Sequence, residues 1–220
     1  MTKVSAIVSA YYAEEYIEGR IANLKAQDCE LEIVVIAQLD TPEAKVARTN
    51  KCTVIYTPDI PTIYDAWNMG IKEASGDYVT SANSDDRLYP GALARMAQLL
   101  DDKQHIGVVY PDVNIVEEID GKPVSKFTWA EGGLAKLLEG CFVGPAPMWR
   151  KSLHEKHGHF DAAFHIAGDY EWWLRLATAG VKFQRIAEPL GAYLKRKDSA
   201  EHREQLRTVW ETARARGRYR

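Results

Sequence analysis

Five short apolar runs punctuate the first half of the chain, Val4–Ala10, Leu31–Ala37, Thr53–Thr57, Asp77–Ser81 and Ile106–Tyr110. Each is separated from the next by a stretch too long for a hairpin turn. The run Leu31-Glu-Ile-Val-Val-Ile-Ala37 has little polar alternation, the pattern of a strand buried on both faces. The stretches between read as helices where they are long enough. Glu14 to Gln27 brings Tyr16, Ile17, Ile21 and Leu24 near one face, Pro61 to Ala74 is stopped by Ser75-Gly76, and Pro90 opens a helix through Leu100. Such alternation requires crossover connections and predicts an α/β fold, a mostly parallel central sheet flanked by helices in a Rossmann-like arrangement.

After Tyr110 the rhythm changes. Residues 112–130 carry alternating charge and Gly121, the pattern of a hairpin or excursion, and Gly132–Glu139 is a short helix. A Gly/Pro-rich loop from Gly140 ends in Pro147-Met-Trp-Arg150, a candidate strand. Gly168 to Ala179 is an amphipathic helix closed by Gly180, and Val181–Ile186 and Leu190–Leu194 read as two short strands. The expected organisation is one domain in two halves, 1–111 and a smaller sub-lobe at 112–200, followed by a basic helix at 201–220.

Composition narrows the function classes. With 46% apolar and 27% charged residues over 220 positions, the chain is an ordinary globular one. Cys29, Cys52 and Cys141 are odd in number and lack CxxC spacing, which fits a reducing compartment and a cytoplasmic location. No apolar run approaches the ~18 residues of a spanning helix. Val4 to Ala13, behind Lys3, mimics the core of a leader peptide, but Glu14 and Glu15 follow it and it reads as a strand. Charge is uneven: nine basic and four acidic residues lie between Lys195 and Arg220, so a net +5 tail follows a body of −8. That tail is either a solvated helix or a peripheral contact with an anionic membrane surface. A nucleic-acid groove is not expected, because Trp210 and Tyr219 are its only aromatics and the body is acidic.

Two segments carry candidate chemistry. Asn83-Ser84-Asp85-Asp86 follows a strand and precedes a helix, at the carboxyl edge where open parallel sheets bind ligands. Adjacent carboxylates there ionise together only if a cation neutralises them, and a hard divalent ion that keeps phosphate oxygens as its other ligands suits such a pair. Elsewhere acidic pairs simply fill surface turns. The second segment is Gly168-Asp169-Tyr-Glu-Trp-Trp-Leu-Arg-Leu176. Asp169 is either a helix cap with the tryptophans filling the core, or a carboxylate facing a cleft with an aromatic wall that stacks a sugar ring. Other signals are missing: there is no GxGxxG, no Walker A and no G-x-S-x-G. His154, His157, His159 and His165 lack metal-ligand order and are expected at a helix end and a turn. Trp129 and Trp149 read as packing residues.

Together these segments resemble the family 2 inverting glycosyltransferases of the GT-A fold, over nearly the whole chain. Val4-Ser-Ala-Ile-Val-Ser-Ala-Tyr-Tyr-Ala13 looks like the family's first strand and loop. Ile63-Tyr-Asp-Ala-Trp-Asn-Met-Gly-Ile71 with Ala74-Ser-Gly-Asp-Tyr78 is similar to the helix and strand before its metal site. Ser84-Asp85-Asp86 matches its DxD-type element, and Phe160-Asp161 with Asp169-Tyr-Glu-Trp-Trp-Leu-Arg175 resembles its catalytic-base segment.

The resemblance implies Asp86 as principal ligand of Mg²⁺ or Mn²⁺, Asp85 beside it on metal or ribose, and Asp169 as general base. Glu171 is the alternative base, although helix geometry turns it about 200° away. Ala10, Tyr12, Gln38, Asp40, Asp65, Asn68, Asp85 and Arg196 are the implied nucleotide-binding positions. The chain departs from the family pattern at three points. Ala37-Gln38-Leu39-Asp40 stands where an Asp-Asp-Gly-Ser-like turn is usual, Asn83 where many relatives carry aspartate, and Arg196 where a histidine is common. Arg196, with Lys195 or Lys197, would pair with a diphosphate, unless this is an ordinary basic loop. The implied activity is metal-dependent inverting transfer from a nucleoside diphosphate sugar to a saccharide or lipid-linked acceptor in surface polysaccharide or glycolipid synthesis. The alternative is a catalytically silent sugar-nucleotide-binding or scaffold module. A nucleotidyltransferase lacks support, since Ser9-Ala-Tyr-Tyr-Ala13 has no glycine and no basic residue.

Overall fold

A computed structural model describes residues 2–59, 62–196 and 203–220. Pro61, Lys197 and residues 201 and 202, where sequence placed a helix start, a basic side chain and the opening of the last helix, lie outside the described residues.

The strands are β1 (Val4–Ala10), β2 (Leu31–Ala37), β3 (Thr53–Tyr56), β4 (Tyr78–Ser81), β5 (Arg87–Leu88), β6 (Ile106–Val116), β7 (Ser125–Phe127), β8 (Met148–Arg150) and β9 (Lys182–Leu194). The helices are α1 (Glu14–Lys25), α2 (Pro42–Thr49), α3 (Ile63–Glu73), α4 (Ala92–Asp102), α5 (Leu134–Glu139), α6 (Ser152–His157), α7 (Gly168–Thr178) and α8 (Gln205–Gly217). The strands form one sheet in the order β3-β2-β1-β4-β8-β6-β9-β5, with β7 beside β6.

The first four strands are parallel, as their crossover spacing requires. The sheet as a whole is mixed: β8 runs antiparallel between β4 and β6, β9 returns parallel to β6, and β5 and β7 are antiparallel to their neighbours. Alternation along the buried strands sorts two cores. Val4, Ala6, Val8 and Ala10 join Ile17, Ile21 and Leu24 of α1 and Leu93, Met96 and Leu100 of α4. Ile7, Val34 and Ile36 face the other way, onto Tyr64, Trp67 and Ile71 of α3 and the aromatic cluster of α7. Each side chain period of two feeds one layer, giving helices on both faces of the sheet.

One expectation is corrected, one boundary falls inside a strand, and one element is added. The two strands read at 181–194 are one, because register shifts beside Pro111 and Asp112 let β9 continue past Pro189. The division drawn at 111 falls inside β6, a single strand from Ile106 to Val116. The interval before the third strand holds a helix, α2, which opens on Thr41 as N-cap and Pro42 in its first turn. As expected, Gly180 closes α7, adopting a φ of 83° that a side chain would resist. Among the described residues no helix is long and apolar enough to cross a membrane.

Candidate active site

The acidic turn sits at the carboxyl edge of β4, and the far end of the chain comes to meet it. β5 pairs with β9 through Arg87↔Ala192 and Leu88↔Gly191. Glycine is required at 191, since a Cβ would lie 2.6 Å from the Arg87 carbonyl oxygen. This pairing aims the Leu194 N–H at Asp86 Oδ1 (3.2 Å), while Asn83 Nδ2 donates to Oδ2 (3.3 Å). The same approach brings Arg196 Nε within 3.3 Å of Asp85 Oδ2. Arg196 therefore belongs to the acidic turn, as an ion-pair partner of Asp85.

Helix α1 supplies the floor. Asn23 holds the backbone of Leu88 with both ends of its amide, at 2.8 and 2.9 Å. Arg20, buried, donates to the Asp86 carbonyl oxygen at 3.1 Å. The guanidinium of Arg196 lies over the ring of Tyr16, 5.2 Å from its centroid. None of Tyr16, Arg20 or Asn23 was picked out from sequence as a site residue; a polar stripe at i, i+4 and i+7 on an otherwise packed helix was the available signal.

Burial divides the two carboxylates. Asp86 is 6% exposed, and desolvation together with the charge of Asp85 pushes its pKa up to about 7, against the pull of Arg20. Burial also pulls Arg20 down, to about 10. The Asp85 side chain keeps 22% of its surface. Asn83 Oδ1 is buried without a hydrogen-bond partner among the described residues. An elevated carboxylate, a second one still exposed and an unsatisfied amide oxygen are what a divalent cation would relieve. Among the described residues no cluster of three or more His, Cys, Asp or Glu side chains forms a cage. The residues fit an ion that draws its remaining ligands from phosphate or water.

At the carboxyl ends of β1 to β3 lies an exposed lip. Ala10 is buried, but Tyr12 is 86% exposed at a φ of 51°, with the Tyr11 ring 4.3 Å from its own. Asp40 also has a positive φ, 63°, and is exposed. Strained non-glycine backbone of this kind persists where the surroundings impose it, often at ligand sites. Gln38 Nε2 donates to the Pro58 carbonyl (3.1 Å), which ties the end of β2 to the loop after β3. Tyr11 and Tyr56, partly exposed on the same lip, were not singled out from sequence.

Two implied nucleotide contacts are engaged by the chain itself. Asn68 exchanges both amide hydrogen bonds with the backbone of Phe160, at 2.9 and 3.0 Å. Asp65 is bound by the N-cap Thr62, whose hydroxyl donates to Oδ2 (2.7 Å) and accepts the Asp65 N–H (3.0 Å). Both stabilise α3 and its hold on the following half of the chain.

Asp169 is the second residue of α7, not its cap, a position held by Ala167. The single Tyr64 hydroxyl proton is shared between the Ile166 carbonyl (2.5 Å) and Asp169 Oδ1 (3.1 Å), and the Tyr170 N–H also meets Oδ1 (2.8 Å). Burial and the adjacent carboxylate hold Tyr64 well above the usual tyrosine range, so it stays a donor. Asp169 is half-buried and oriented. Glu171 is different: it is 1% exposed, bound by Arg175 Nη2 and the Tyr219 hydroxyl, both at 2.5 Å. That corrects its reading as an alternative base; it is a pairing residue between α7 and the end of the chain. For the tryptophans the core alternative holds. Trp172 and Trp173 are buried against Trp149 and Phe160, a core and not a stacking wall.

Helix α8 grips this segment. The buried carboxylate of Glu211 accepts the N–H groups of His165, Ile166 and Ala167 at 2.8–3.1 Å, just ahead of α7. Arg214 reaches the Ala163 carbonyl and Arg218 pairs with Asp161. A fixed anion at the positive end of α7 stabilises both.

His154 is structural. Trp149 Nε1 donates to His154 Nε2 (2.9 Å), so the proton sits on Nδ1, facing the Gly158 carbonyl (3.2 Å). Burial lowers the His154 pKa to about 3. The unfolded chain takes up a proton near pH 6.5 that the folded state refuses, so this contribution is whole above pH 6.5 and is lost as pH falls toward 3. The expected slope is up to about 1.4 kcal/mol per pH unit. Urea titrations of the parent chain and His154→Gln between pH 7 and 4 check it; parallel pH profiles would refute it.

Comparisons with known proteins were made on this geometry. The profile of Glycosyl transferase family 2 matches residues 5–160. The glycosyltransferase YwdF of Bacillus subtilis is 34% identical over 118 residues, 51% of this chain and 43% of that protein. The amylovoran biosynthesis glycosyltransferase AmsB of Erwinia amylovora is 24% identical over 210 residues, 86% of this chain and 68% of its own length. Among solved structures, the mannosyltransferase PcManGT of Pyrobaculum calidifontis, in complex with GDP-Man and Mn²⁺, superposes with a TM-score of 0.76 at 18% identity. That match covers 97% of this chain and 63% of PcManGT, so the chain spans under half of one relative and about two thirds of the others.

Proposed function

Because the chain belongs to glycosyl transferase family 2 and has the GT-A fold, we propose that it transfers a sugar from a nucleoside diphosphate sugar to an acceptor hydroxyl, with inversion. The observation that carries this reading is the corner where Asp85, Asp86 and Arg196 converge at the carboxyl edge of the sheet. PcManGT, with GDP-Man and Mn²⁺ bound, supports a nucleotide-sugar donor and a divalent cation. AmsB supports a role in surface polysaccharide synthesis.

Roles follow from exposure. Asp85 is assigned to the cation with Asn83 Oδ1, while Asp86, buried under Leu194, holds the turn in shape from one side of the same site. This exchanges the ranking that the resemblance implied, in which Asp86 led. Bound there, Mg²⁺ or Mn²⁺ supplies charge neutralisation for the departing diphosphate. Arg196 is assigned to the diphosphate as well. Tyr12, Gln38 and Asp40, with Tyr11 and Tyr56, are assigned to the nucleoside, the exposed rings offering a stacking face. Asp169 takes the proton of the acceptor hydroxyl as that oxygen attacks the anomeric carbon; Tyr64 orients its carboxylate. A single in-line displacement needs one such base and inverts the centre.

Thermal melts with UDP, GDP, dTDP and CDP, each with and without Mn²⁺, test the reading. At about a hundred times its Kd, the matching nucleotide should stabilise by about 2.7 kcal/mol, a rise of about 5–10 °C at this size. Asp85→Asn should lose the Mn²⁺-dependent part. No shift with any nucleotide favours the scaffold alternative.

A further inference from the structure

Helix α8 has two unlike faces. Glu211 and Ala215 are buried against the body. On the far side Leu206, Val209 and Trp210 are 89%, 69% and 61% exposed. At 100° per residue these three span about 100° of arc, a continuous apolar stripe. Arg203 and Arg207 border the stripe at its start, Arg214 lies over the Trp210 ring (5.4 Å), and Arg220 is exposed beyond its end. Of the six arginines and two glutamates between 203 and 220, Glu211 is buried inward, Glu204 pairs with Arg207, and Arg216 and Arg218 are held by the body, which leaves Arg203, Arg207, Arg214 and Arg220 nearest the stripe.

We propose that this face docks on an anionic phospholipid surface, with Leu206, Val209 and Trp210 entering the interface and the bordering arginines meeting headgroup phosphates. Charge complementarity selects this occupant. An apolar stripe with arginine on its borders lying flat at the headgroup boundary satisfies both kinds of side chain at once, and tryptophan favours that depth. A second copy of the chain would set arginine against arginine. The inner face of α8 meanwhile holds residues 161–171. Docking would therefore set the Asp169 segment close to the lipid, where a lipid-linked acceptor is presented. That last consequence rests on the reading above; the docking itself does not.

The experiment is co-sedimentation of the full chain with phosphatidylcholine vesicles, with and without one third phosphatidylglycerol, read together with tryptophan fluorescence. Trp210 is the exposed indole, so insertion should shift emission to the blue on phosphatidylglycerol vesicles alone. The Leu206→Gln, Val209→Gln, Trp210→Gln triple variant should bind at least tenfold more weakly, with an unchanged melting temperature and unchanged Mn²⁺-dependent nucleotide shift. Trp210→Phe should keep binding and lose the blue shift. Three results would overturn the proposal: no partitioning to anionic vesicles, partitioning that the triple variant retains, or a dimer in solution that the triple variant dissociates. None of these readouts involves sugar transfer, so failure here leaves the proposed activity standing.

Discussion

Asp169→Asn should lower turnover about a thousandfold while the donor nucleotide binds as in the parent chain. The substitution is isosteric, and the amide oxygen can still accept from the Tyr64 hydroxyl and the Tyr170 N–H, so the start of α7 keeps its shape. What is lost is the site for the acceptor's proton. A positioned base contributes 10²–10⁴-fold, and a thousandfold corresponds to about 4 kcal/mol of transition-state stabilisation. The partner measurement is Glu171→Gln. Its carboxylate balances Arg175 and Arg218 and accepts from Tyr219, so the variant should melt lower and turn over normally per folded molecule. Full turnover in Asp169→Asn, or lost turnover without lost stability in Glu171→Gln, would remove Asp169 from the role.

Glu211→Ala should destabilise the fold by about 3 kcal/mol, lowering the melting temperature by about 6–12 °C. Three consecutive N–H groups point at one buried carboxylate. Without it, those of Ile166 and Ala167 are left unsatisfied below the surface, at about 1–3 kcal/mol each, while that of the exposed His165 can turn to water. Glu211→Gln keeps an acceptor and should lose about half as much. Since the same loop leads directly into Asp169, turnover should fall further than the population of folded chain explains. A melting temperature within a degree or two of the parent would show the clasp to be dispensable.

The four parallel strands and the acidic turn were legible because periodicity is a local property, and a two-sided buried strand such as Leu31–Ala37 has few other readings. The antiparallel insertion of β8 was not legible: a three-residue strand has no period, and its place between β4 and β6 is decided by long-range pairing. Helix α2 carried its signal openly in Thr41-Pro42, but eight residues hold too little apolar pattern to announce themselves. In the site, Asp169 was found through its neighbours, and Glu171 was weighed beside it because sequence cannot tell an oriented surface carboxylate from a buried paired one. Arg196 was read as a diphosphate partner, yet only the β5–β9 pairing reveals that it meets Asp85. Glu211 gave no signal at all. It lies 44 residues beyond the N–H of Ala167 that it binds, on a helix whose arginines drew the attention.

That separation has a consequence for synthesis. As the chain emerges from the ribosome, β1 to β4 can pair from local segments. The acidic turn then waits for Leu194, 108 residues after Asp86. The base segment waits longer, until Glu211 and Tyr219 arrive to take the loop amides and the Glu171 carboxylate. The two parts of the proposed site are thus completed at different moments, the acidic corner first, and a chain interrupted between them has a closed acidic turn beside an unfastened Asp169 segment.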